Sequence, residues 1–433
     1  MASIMLTAMP FAGHTLPLRA VAAELVRRGH DVRAYTGRRH GAIFAEVGAR
    51  PVAWQRAPDF DERHPAATFP RMRGAKGFRQ MLVNVEDLFL GTAAAQTADL
   101  VALHEDEPWD LIAGDPMALG TRFVAERLGS RWATVSPLAY WPPGKTVPPM
   151  GLGLTPARGP FGRGRDAVLR AAVRAGGAAV TRRYRRERRR AGLAPDRTPF
   201  DGIFHSPDLV VTAGSPGLDY PRDDIPATVR FVGDLTDDGR PPRPGLLPDW
   251  WDDVLRSEVP VVHVTQGTEN VDPADLVLPA LEALADEDVL VVVGLGHRTA
   301  PVPGPLPRNA RVAPMVPYPA LLPLTSVMIT NGGYGGVLQA LRHDVPLVVA
   351  GGDLDKPEIA ARIGWHGAGV NLRTGRPRSA SIAAAYRDVT TDPRYRATAA
   401  RLGAELRGLG GTRAAADLIE EHLNSGPPTT LAA

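Results

Sequence analysis

Cysteine is absent from the 433 residues of this chain, and its absence excludes several kinds of chemistry. Without cysteine there is no disulfide framework, no thiolate nucleophile and no cysteine-based zinc site. No run of apolar residues reaches the roughly 20 positions that a membrane-spanning helix needs. The opening residues, MASIMLTAMPFAGH, contain no basic segment, so they predict a strand rather than a signal peptide. Together these absences favour a cytoplasmic protein with no membrane span.

A large excess of either charge is also missing. The net charge is only +3, and the segment Arg182–Arg190 alone contributes seven arginines and one glutamate. This segment continues a helical pattern from Ala167, so it predicts a solvated helix face. A nucleic-acid surface usually spreads its basic residues over one face and adds aromatic residues or a known module. The sequence therefore predicts no nucleic-acid partner.

The order of apolar segments predicts an α/β fold. Short apolar strands alternate with helical patterns in both halves of the chain, and this alternation predicts parallel sheets covered by helices. The turn after the first strand lacks the G-x-G-x-x-G of dinucleotide-binding folds, which argues against a nicotinamide cofactor. Thr15 is the expected cap of the first helix, and Gly29 is its expected end. The length allows two domains with separate cores. The expected strands are Ser3–Met9, Asp31–Thr36, Trp109–Asp115, Trp132–Ser136, Leu209–Thr212, Val261–Thr265, Val289–Val293, Val327–Thr330 and Leu347–Ala350.

Two stretches have the composition of loops. Residues 137–165 are rich in proline and glycine, and they predict a surface loop that could act as a binding lid. Long helical segments are expected over about 166–193. The strand Leu209–Thr212 follows them and is expected to be the last strand of the first half. The stretch Asp219–Trp250 is dense in proline and aspartate, and it predicts a linker. Helices near 380–390 and 395–424 end the chain.

A glycine-rich turn follows the expected strand Val327–Thr330. The turn Asn331–Gly336 contains four glycines, and a helix is expected to begin near Gly335. Glycines let the backbone approach a phosphate, and the first-turn N–H groups of a helix favour negative charge. The turn therefore predicts an anion site. A strand-to-helix turn that needs glycine only for packing is an equally weighted alternative, because one such loop is weak evidence.

The stretch Met328–Glu358 resembles the donor-binding signature of family 1 glycosyltransferases, the nucleotide-sugar-dependent enzymes of the GT-B fold. That signature runs from a His-x-Gly-x-x-Ser/Thr turn through an acidic residue to a closing Asp-Gln pair. Here the turn begins with Asn331, Gln339 replaces the acidic residue, and the closing pair is Asp355-Lys356. The segment Pro314–Tyr318 resembles the loop that holds a uracil or thymine ring. The turn P-F-A-G-H-T-L-P-L resembles the family's G-H-x-x-P-L turn.

The resemblance implies a GT-B fold, with two Rossmann-like doubly wound parallel-sheet domains that face each other across a cleft. The implied map is an acceptor-binding domain (1–218), a linker (219–250), a donor-binding domain (251–405) and a C-terminal helix with a tail (406–433). That last helix is expected to cross back to the first domain. The implied donor-binding residues are Gly13, Gly267, Thr268, Val316, Asn331, Gly332, Gly333, Gly335, Gly336, Gln339, Asp355 and Lys356.

The catalytic residues implied by the resemblance are His14 and Asp115. A histidine titrates near pH 6.5, which suits proton transfer at neutrality, and a carboxylate on its second ring nitrogen would fix its tautomer. A lone histidine at a helix start more often has no chemical role, but the surrounding turn favours the catalytic interpretation. Asp115 has a second interpretation, as the N-cap of the following helix. Asp110 is the alternative partner, at the opposite end of the same strand.

The leading hypothesis is an inverting, metal-independent glycosyltransferase that moves a sugar from UDP or dTDP to a small aromatic or polyketide-like acceptor. The nucleotide sugar is a co-substrate, so no other cofactor is expected, and no cluster of metal ligands is recognisable. A nucleotide-sugar epimerase on the same fold is one alternative, although it has no use for a lid at 137–165. A silent partner of another transferase is the second. The oligomeric state stays open, with a homodimer as one alternative.

Overall fold

Two parallel β-sheets form the framework of the protein. The computed structural model describes residues 1–75, 77–157, 159–196, 198–236, 247–267, 272–296 and 302–425. We refer to residues 1–236 as the first half and to residues 247–425 as the second half. Each half contains one sheet, and every pair of neighbouring strands within the two sheets is parallel.

The sheet of the first half has seven strands in the spatial order β3-β2-β1-β4-β5-β6-β7. Its central strands β1, β4 and β5 are buried along almost their whole length, as expected where helices cover both faces of a sheet. The strands are β1 (Ser3–Thr7), β2 (Asp31–Thr36), β3 (Arg50–Ala53), β4 (Leu111–Gly114), β5 (Trp132–Ser136), β6 (Val210–Thr212) and β7 (Val229–Phe231). The helices are α1 (Ala12–Arg27), α2 (Gly41–Ala45), α3 (Pro65–Thr68), α4 (Gly77–Val83), α5 (Gly91–Asp106), α6 (Gly120–Leu128), α7 (Gly159–Gly176) and α8 (Ala178–Arg190), with a π-helix at Asn84–Leu90 between α4 and α5.

The sheet of the second half has six strands in the order β10-β9-β8-β11-β12-β13. The strands are β8 (Val261–Thr265), β9 (Leu290–Gly294), β10 (Ala310–Ala313), β11 (Thr325–Thr330), β12 (Leu347–Val349) and β13 (Gly369–Asn371). The helices are α9 (Trp251–Leu255), α10 (Val277–Leu284), α11 (Tyr318–Leu321), α12 (Tyr334–Arg342), α13 (Lys356–His366), α14 (Ser379–Thr391), α15 (Pro393–Gly408) and α16 (Gly411–Asn424).

The two halves share apolar contacts. The largest cluster of buried apolar side chains includes Val211 and Ala213 near the end of β6 together with Tyr334 and Leu338 of α12. The last helix, α16, packs beside the end of α1, where Glu420 contacts both Arg28 (Nη1–Oε2 2.6 Å) and His30 (Nε2–Oε1 2.8 Å). The chain thus returns to the first sheet at its end.

Several boundaries differ from the sequence-based expectations. The predicted cap, Thr15, lies inside α1, which begins at Ala12, and its hydroxyl donates to the carbonyl of Phe11 (3.0 Å). The carboxylate of Glu62 accepts the Ala12 N–H instead (2.7 Å), and a partner fifty residues away leaves no local signal in the sequence. The proline- and glycine-rich loop is shorter than predicted, because α7 already begins at Gly159.

Two further expectations were wrong. Leu209–Thr212 is not the last strand of the first sheet, because β7 lies inside the predicted linker and pairs with β6. Nor is the arginine-rich segment entirely a solvated face. Arg188 is only 2% exposed, and its Nη1 donates to Glu126 Oε2 at 2.6 Å. The neighbouring Glu187 is also buried, and burial raises the pKa of its carboxyl.

Candidate active site

His14 lies in the first turn of α1, directly beyond the carboxyl end of β1. Open parallel sheets bind their ligands at this edge. The Nδ1 atom of His14 is 3.1 Å from Asp115 Oδ1, and the two side chains are 13% and 0% exposed. Contacts of this kind in a ligand-free site commonly tighten when substrate binds. The structure therefore brings together the predicted pair.

Asp115 follows β4 and is fixed by two backbone groups. Its Oδ2 accepts the Met9 N–H (2.7 Å), and its Oδ1 accepts the Met117 N–H (2.6 Å). Because α6 begins only at Gly120, Asp115 is not the N-cap of that helix, and this alternative interpretation was wrong. The other candidate partner, Asp110, accepts the Ser3 N–H (2.8 Å) at the amino end of β1, on the far side of the sheet from His14.

A cluster of aromatic rings adjoins the histidine through Phe11. The ring centroid of Phe11 is 5.6 Å from that of His14, 5.3 Å from Phe60 and 6.5 Å from Phe89. Phe11 and Phe89 are half-buried, so part of each ring faces solvent. Phe89 belongs to the π-helix, a rare conformation that is often found at functional sites. Sequence reasoning missed all three rings as candidate site residues, and Phe60 and Phe89 come from a stretch without recognisable motifs.

The amino end of α1 is enclosed by two further titratable groups that sequence reasoning missed. Glu62 accepts the Ala12 N–H, and burial raises the pKa of its carboxyl. His40 Nε2 lies 3.7 Å from Glu62 Oε1, and His40 Nδ1 is 3.1 Å from the Thr15 hydroxyl. Burial lowers the pKa of His40, which keeps the ring neutral at pH 7. Gly13 is exposed in the same turn, and a Cβ there would contact no atom within 4 Å.

The glycine turn connects β11 to α12. Gly332 has φ +90°, and a Cβ added there would lie 3.0 Å from Val349 Cγ1 and 3.3 Å from the Lys356 carbonyl oxygen. Only glycine fits this position without strain. Gly333 is the N-cap of α12, and Gly335 and Gly336 lie in its first turn. A Cβ at Gly335 would contact no protein atom within 4 Å, so packing does not require glycine there.

The turns after β8 and β11 meet at Asn331. The Asn331 amide nitrogen donates to the Gln266 carbonyl, and a Cβ on Gly267 would lie 3.3 Å from that nitrogen. Among the described residues, the other amide atom, Oδ1, is buried without a hydrogen-bond partner. Thr268, another predicted donor-binding residue, lies outside the residues that the structure describes.

The remaining predicted donor-binding residues take up varied positions in the second half. Gln339 is half-buried on α12, and its Nε2 donates to the Gly335 carbonyl (3.3 Å). Asp355 is the N-cap of α13, and the side chain of Lys356, 11% exposed, pairs with Asp353 (Nζ–Oδ1 3.3 Å). The Val316 side chain packs in a core cluster, so only its backbone is available to a ligand.

Tyr334 connects the donor turn to the first sheet. It is the first residue of α12, and its hydroxyl donates to the carbonyl of Ala213, just beyond β6 (3.3 Å). The end of β6 and the start of α12 therefore face each other across the junction of the two halves. This contact places the glycine turn on the same side of the molecule as the carboxyl edge of the first sheet.

Within the described ranges, no group of three or more His, Asp or Glu side chains is arranged to hold a metal ion. A search of the same residues found no helix with the length and apolarity of a membrane span.

Comparison with known proteins gives consistent matches. Residues 279–409 match the family model "Erythromycin biosynthesis protein CIII-like, C-terminal domain". The chain is 41% identical to 4'-demethylrebeccamycin synthase of Lentzea aerocolonigenes over 97% of this chain and 99% of that protein. It is 32% identical to UDP-glucosyltransferase 1 of Beauveria bassiana, over 91% and 89% of the two chains. The crystal structure of the glycotransferase of kitacinnamycin superposes with a TM-score of 0.75 at 25% identity, over 98% and 99% of the chains.

Proposed function

This chain belongs to the GT-B glycosyltransferases of the natural-product type, which use nucleotide-sugar donors, and we propose that it inverts the anomeric centre without a metal ion. In this proposal His14 is the general base and Asp115 is its partner. The family and the GT-B fold, which the sequence predicted by resemblance, are thereby confirmed. The mechanism and the roles of individual residues are the proposal.

The contact between His14 Nδ1 and Asp115 Oδ1 carries the proposal. A carboxylate on Nδ1 holds the proton there, so Nε2 is the nitrogen that takes the proton of the acceptor. Asp115 is buried and fixed by two backbone N–H groups, so it cannot turn away from the ring. As the histidine becomes charged, the carboxylate stabilises the imidazolium. This arrangement suits an attack by the acceptor oxygen or nitrogen on the anomeric carbon.

The departing nucleoside diphosphate needs stabilisation of its negative charge. Helix α12 begins at Tyr334, within the glycine turn, and its positive end would face a diphosphate bound there. Backbone N–H groups and a helix dipole can stabilise a leaving anion without a metal, which supports metal-independent transfer. Lys356, at the start of α13, has its backbone close to Gly332, and its ammonium group is held by Asp353 (Nζ–Oδ1 3.3 Å).

The rings of Phe11, Phe60 and Phe89 support an acceptor with aromatic or polyketide character. Aromatic side chains bind planar apolar molecules through offset or edge contacts, which add to the free energy of apolar burial. Phe11 lies beside the proposed base and contacts the other two rings, so a planar acceptor bound against Phe11 would present a hydroxyl or amine close to His14. The similarity to 4'-demethylrebeccamycin synthase is consistent with a natural-product acceptor.

The donor nucleotide is proposed to be UDP or dTDP. A carboxylate at position 339 would accept strong hydrogen bonds from both hydroxyls of a UDP ribose, whereas Gln339 offers a neutral oxygen and an amide that donates within its own helix. The advantage of the 2'-hydroxyl should therefore be smaller here. We propose that dTDP-sugars serve at least as well as UDP-sugars.

The proposal is tested with purified chain, UDP-α-glucose or dTDP-α-glucose, and the fluorescent phenol 7-hydroxy-4-methylcoumarin. A β-glucoside, identified by the anomeric proton coupling, is expected, and excess EDTA should leave the rate unchanged. Retention of the α configuration, or loss of turnover with EDTA, would contradict the mechanism. Turnover by the chain alone would exclude a silent partner, and conversion of the donor sugar without transfer would indicate the epimerase.

The domain boundaries are also a proposal. We propose that the change of domain falls within residues 219–250, although β7 lies inside this range and pairs with the first sheet. Limited proteolysis should cut first within 219–250 and leave two fragments. A first cut elsewhere would contradict the map. A cytoplasmic location remains a prediction of the sequence.

A further inference from the structure

One carboxylate of the second half holds a loop of the first half. Glu358, in the first turn of α13, has a side-chain oxygen (Oε1) that accepts three consecutive backbone N–H groups, from Gly151 (2.9 Å), Leu152 (3.0 Å) and Gly153 (2.8 Å). These residues belong to the proline- and glycine-rich loop that follows β5. Glu358 is itself only 2% exposed, so the contact is shielded from water.

The loop is shaped to make this contact. Gly151 and Gly153 have φ of +92° and +59°, and these conformations turn successive N–H groups towards one point. A Cβ on Gly153 would lie 2.9 Å from Pro357 Cβ, so glycine also allows the loop to approach α13 closely. Hydrogen bonds to an ionised acceptor are roughly twice as strong as neutral ones, which suits a single side chain that holds a loop.

Glu358 is in turn fixed from behind. Its Oε2 accepts from Arg362 Nη1 (3.3 Å), and Arg362 Nη2 lies 3.2 Å from Asp219 Oδ1. The guanidinium also lies 4.7 Å from the ring centre of Tyr220, whose hydroxyl donates to the Leu154 carbonyl (3.3 Å). A cavity of about 10 Å³, roughly the space of one water, lies among these groups. The carboxylate therefore has little freedom to move away from the loop.

The far side of the loop contacts the acceptor side of the cleft. A Cβ on Gly151 would lie 3.4 Å from Met81 Sδ, on helix α4, which leads into the π-helix that carries Phe89. The loop thus lies between helix α13, which begins at the predicted donor residue Lys356, and helix α4, which continues into the π-helix with Phe89. Leu152, at the tip of the loop, is 39% exposed.

We propose that Glu358 is a positioning residue. Its carboxylate, on the donor-side helix α13, holds the acceptor-side loop in place, an inference that rests on the proposed function. The carboxylate does not touch the reacting atoms. It fixes residues 151–153 against α13, and the loop then fixes the surface on which the acceptor lies. Acceptor affinity should depend on Glu358, whereas donor affinity and the chemical step should not.

The first measurement is hydrogen exchange of the amides of Gly151, Leu152 and Gly153 in the full chain. In Glu358→Ala these amides should exchange about tenfold faster or more, because they lose their acceptor. Glu358→Gln should lie between Glu358→Ala and wild type, since its amide oxygen still accepts. Glu405→Ala is the matched control: Glu405 of α15 accepts the Gly217 N–H (2.8 Å) across the same junction but does not contact the loop. Unchanged exchange in Glu358→Ala would overturn the proposal.

The second measurement separates the steps of the reaction. With 7-hydroxy-4-methylcoumarin and UDP-glucose or dTDP-glucose, Glu358→Ala should raise the acceptor KM about tenfold, a loss of order 1.4 kcal/mol. Its kcat at saturating acceptor should stay within about threefold of wild type, and its donor KM should not change. Where turnover is too slow, coumarin fluorescence gives the acceptor Kd in place of KM. If the wild type does not transfer sugar, the proposed function is contradicted, but the effect of Glu358→Ala on the acceptor Kd can still be measured.

A variant on the loop side completes the experiment. Gly153→Ala leaves α13 unchanged but forces the loop away from Pro357, so it should raise the acceptor KM as Glu358→Ala does. The double variant should be no worse than either single one, because both remove the same contact. Equal changes in acceptor and donor KM, or fully additive effects of the two substitutions, would show a general loss of structure and overturn the inference.

Discussion

The two halves of this protein form their sides of the cleft from different chemical groups, side chains in one and backbone in the other. In the first half the candidate site consists of side chains, namely His14 with Asp115 for the chemistry and the rings of Phe11, Phe60 and Phe89 for the acceptor. In the second half the candidate donor site is largely backbone, formed by the glycine turn and the start of α12. A substitution in a side-chain site can remove its chemistry and keep its shape. A substitution in a backbone site acts only by changing the shape of that site.

The largest expected effect tests the side-chain site. His14→Ala should lower kcat by about 10²–10⁴-fold, the usual contribution of general base catalysis, with thermal stability close to wild type. Asp115→Asn should also be slow, because an amide cannot stabilise the imidazolium in the same way. Asp110→Asn is the matched control, since Asp110 bonds to Ser3 at the opposite end of the sheet. Wild-type turnover in either His14→Ala or Asp115→Asn would exclude the proposed pair.

The next prediction compares one buried histidine from each half. Burial lowers the pKa of both His205 and His263 to about 4. The unfolded chain therefore binds more protons than the folded one between about pH 6.5 and pH 4, so stability falls as the pH falls through that range. Each site accounts for a loss of about 3 kcal/mol across this window. Urea unfolding at pH 7, 5.5 and 4.5 measures this fall in the free energy of unfolding.

Substitution by phenylalanine should change the stability of the protein differently at the two histidines. Both ring nitrogens of His205 are buried without a hydrogen-bond partner among the described residues, beside the rings of Tyr140 and Trp141. His205→Phe should therefore reduce the acid sensitivity and cost nothing at pH 7. His263→Phe should also reduce it, but the lost contact between Nδ1 and the Val292 carbonyl (2.9 Å) should cost about 1–3 kcal/mol. Equal stability of the two variants at pH 7 would contradict this difference.

A third prediction tests the backbone site. A Cβ at Gly335 would contact no protein atom within 4 Å, so Gly335→Ala should keep or raise stability, since alanine favours helices. Its methyl group would nevertheless lie where a diphosphate is proposed to approach. The thermal shift with UDP or TDP, which corresponds to about 2.7 kcal/mol at 100 times the Kd, should be lost. Gly164→Ala, another helical glycine with open space around it, is the control. A full nucleotide shift in Gly335→Ala would place the diphosphate elsewhere.

Local motifs allowed much of the fold and the central pair of the site to be predicted. His14 and Asp115 each follow a buried strand, and parallel strands bring such residues to one edge of the sheet. Glu62 could not be predicted in the same way, because it contacts α1 from fifty residues away. The strand β7 is only three residues long in a proline-rich stretch, and its pairing with β6 decides its conformation.

The arginine-rich segment shows a similar limit. Its composition indicates solvent exposure, yet Arg188 is buried. Its guanidinium donates to Glu126, which is far away in the sequence, and to the carbonyl of Ala194, which lies just after α8. Burial of a charge depends on such partners, and the sequence of the segment alone does not contain them. The roles of the donor-binding residues remain predictions.

The smallest expected effect concerns nucleotide choice. Gln339→Glu should shift preference from dTDP-glucose towards UDP-glucose by about tenfold or less, because a carboxylate binds the second ribose hydroxyl with a charge-assisted bond. Paired thermal shifts with UDP and TDP, followed by kcat/KM with both donors, measure the change. A wild type that strongly prefers UDP, with no further gain in Gln339→Glu, would show that this position does not read the ribose.

The π-helix at Asn84–Leu90 has a consequence for how acceptor range could change during evolution. A π-helix behaves as an α-helix into which one residue has been inserted, and the α-helices on either side of it continue normally. Deletion of a single residue within 84–90 would restore a regular helix, and the α-helices on either side would keep their orientation, because the π-helix alone absorbs the extra residue. Phe89, which lies within the π-helix, would change direction, whereas Met81 on α4 would not. One codon lost or gained would thus redirect one aromatic ring of the candidate acceptor site in a single step, while the sheet and the reacting pair stay in place.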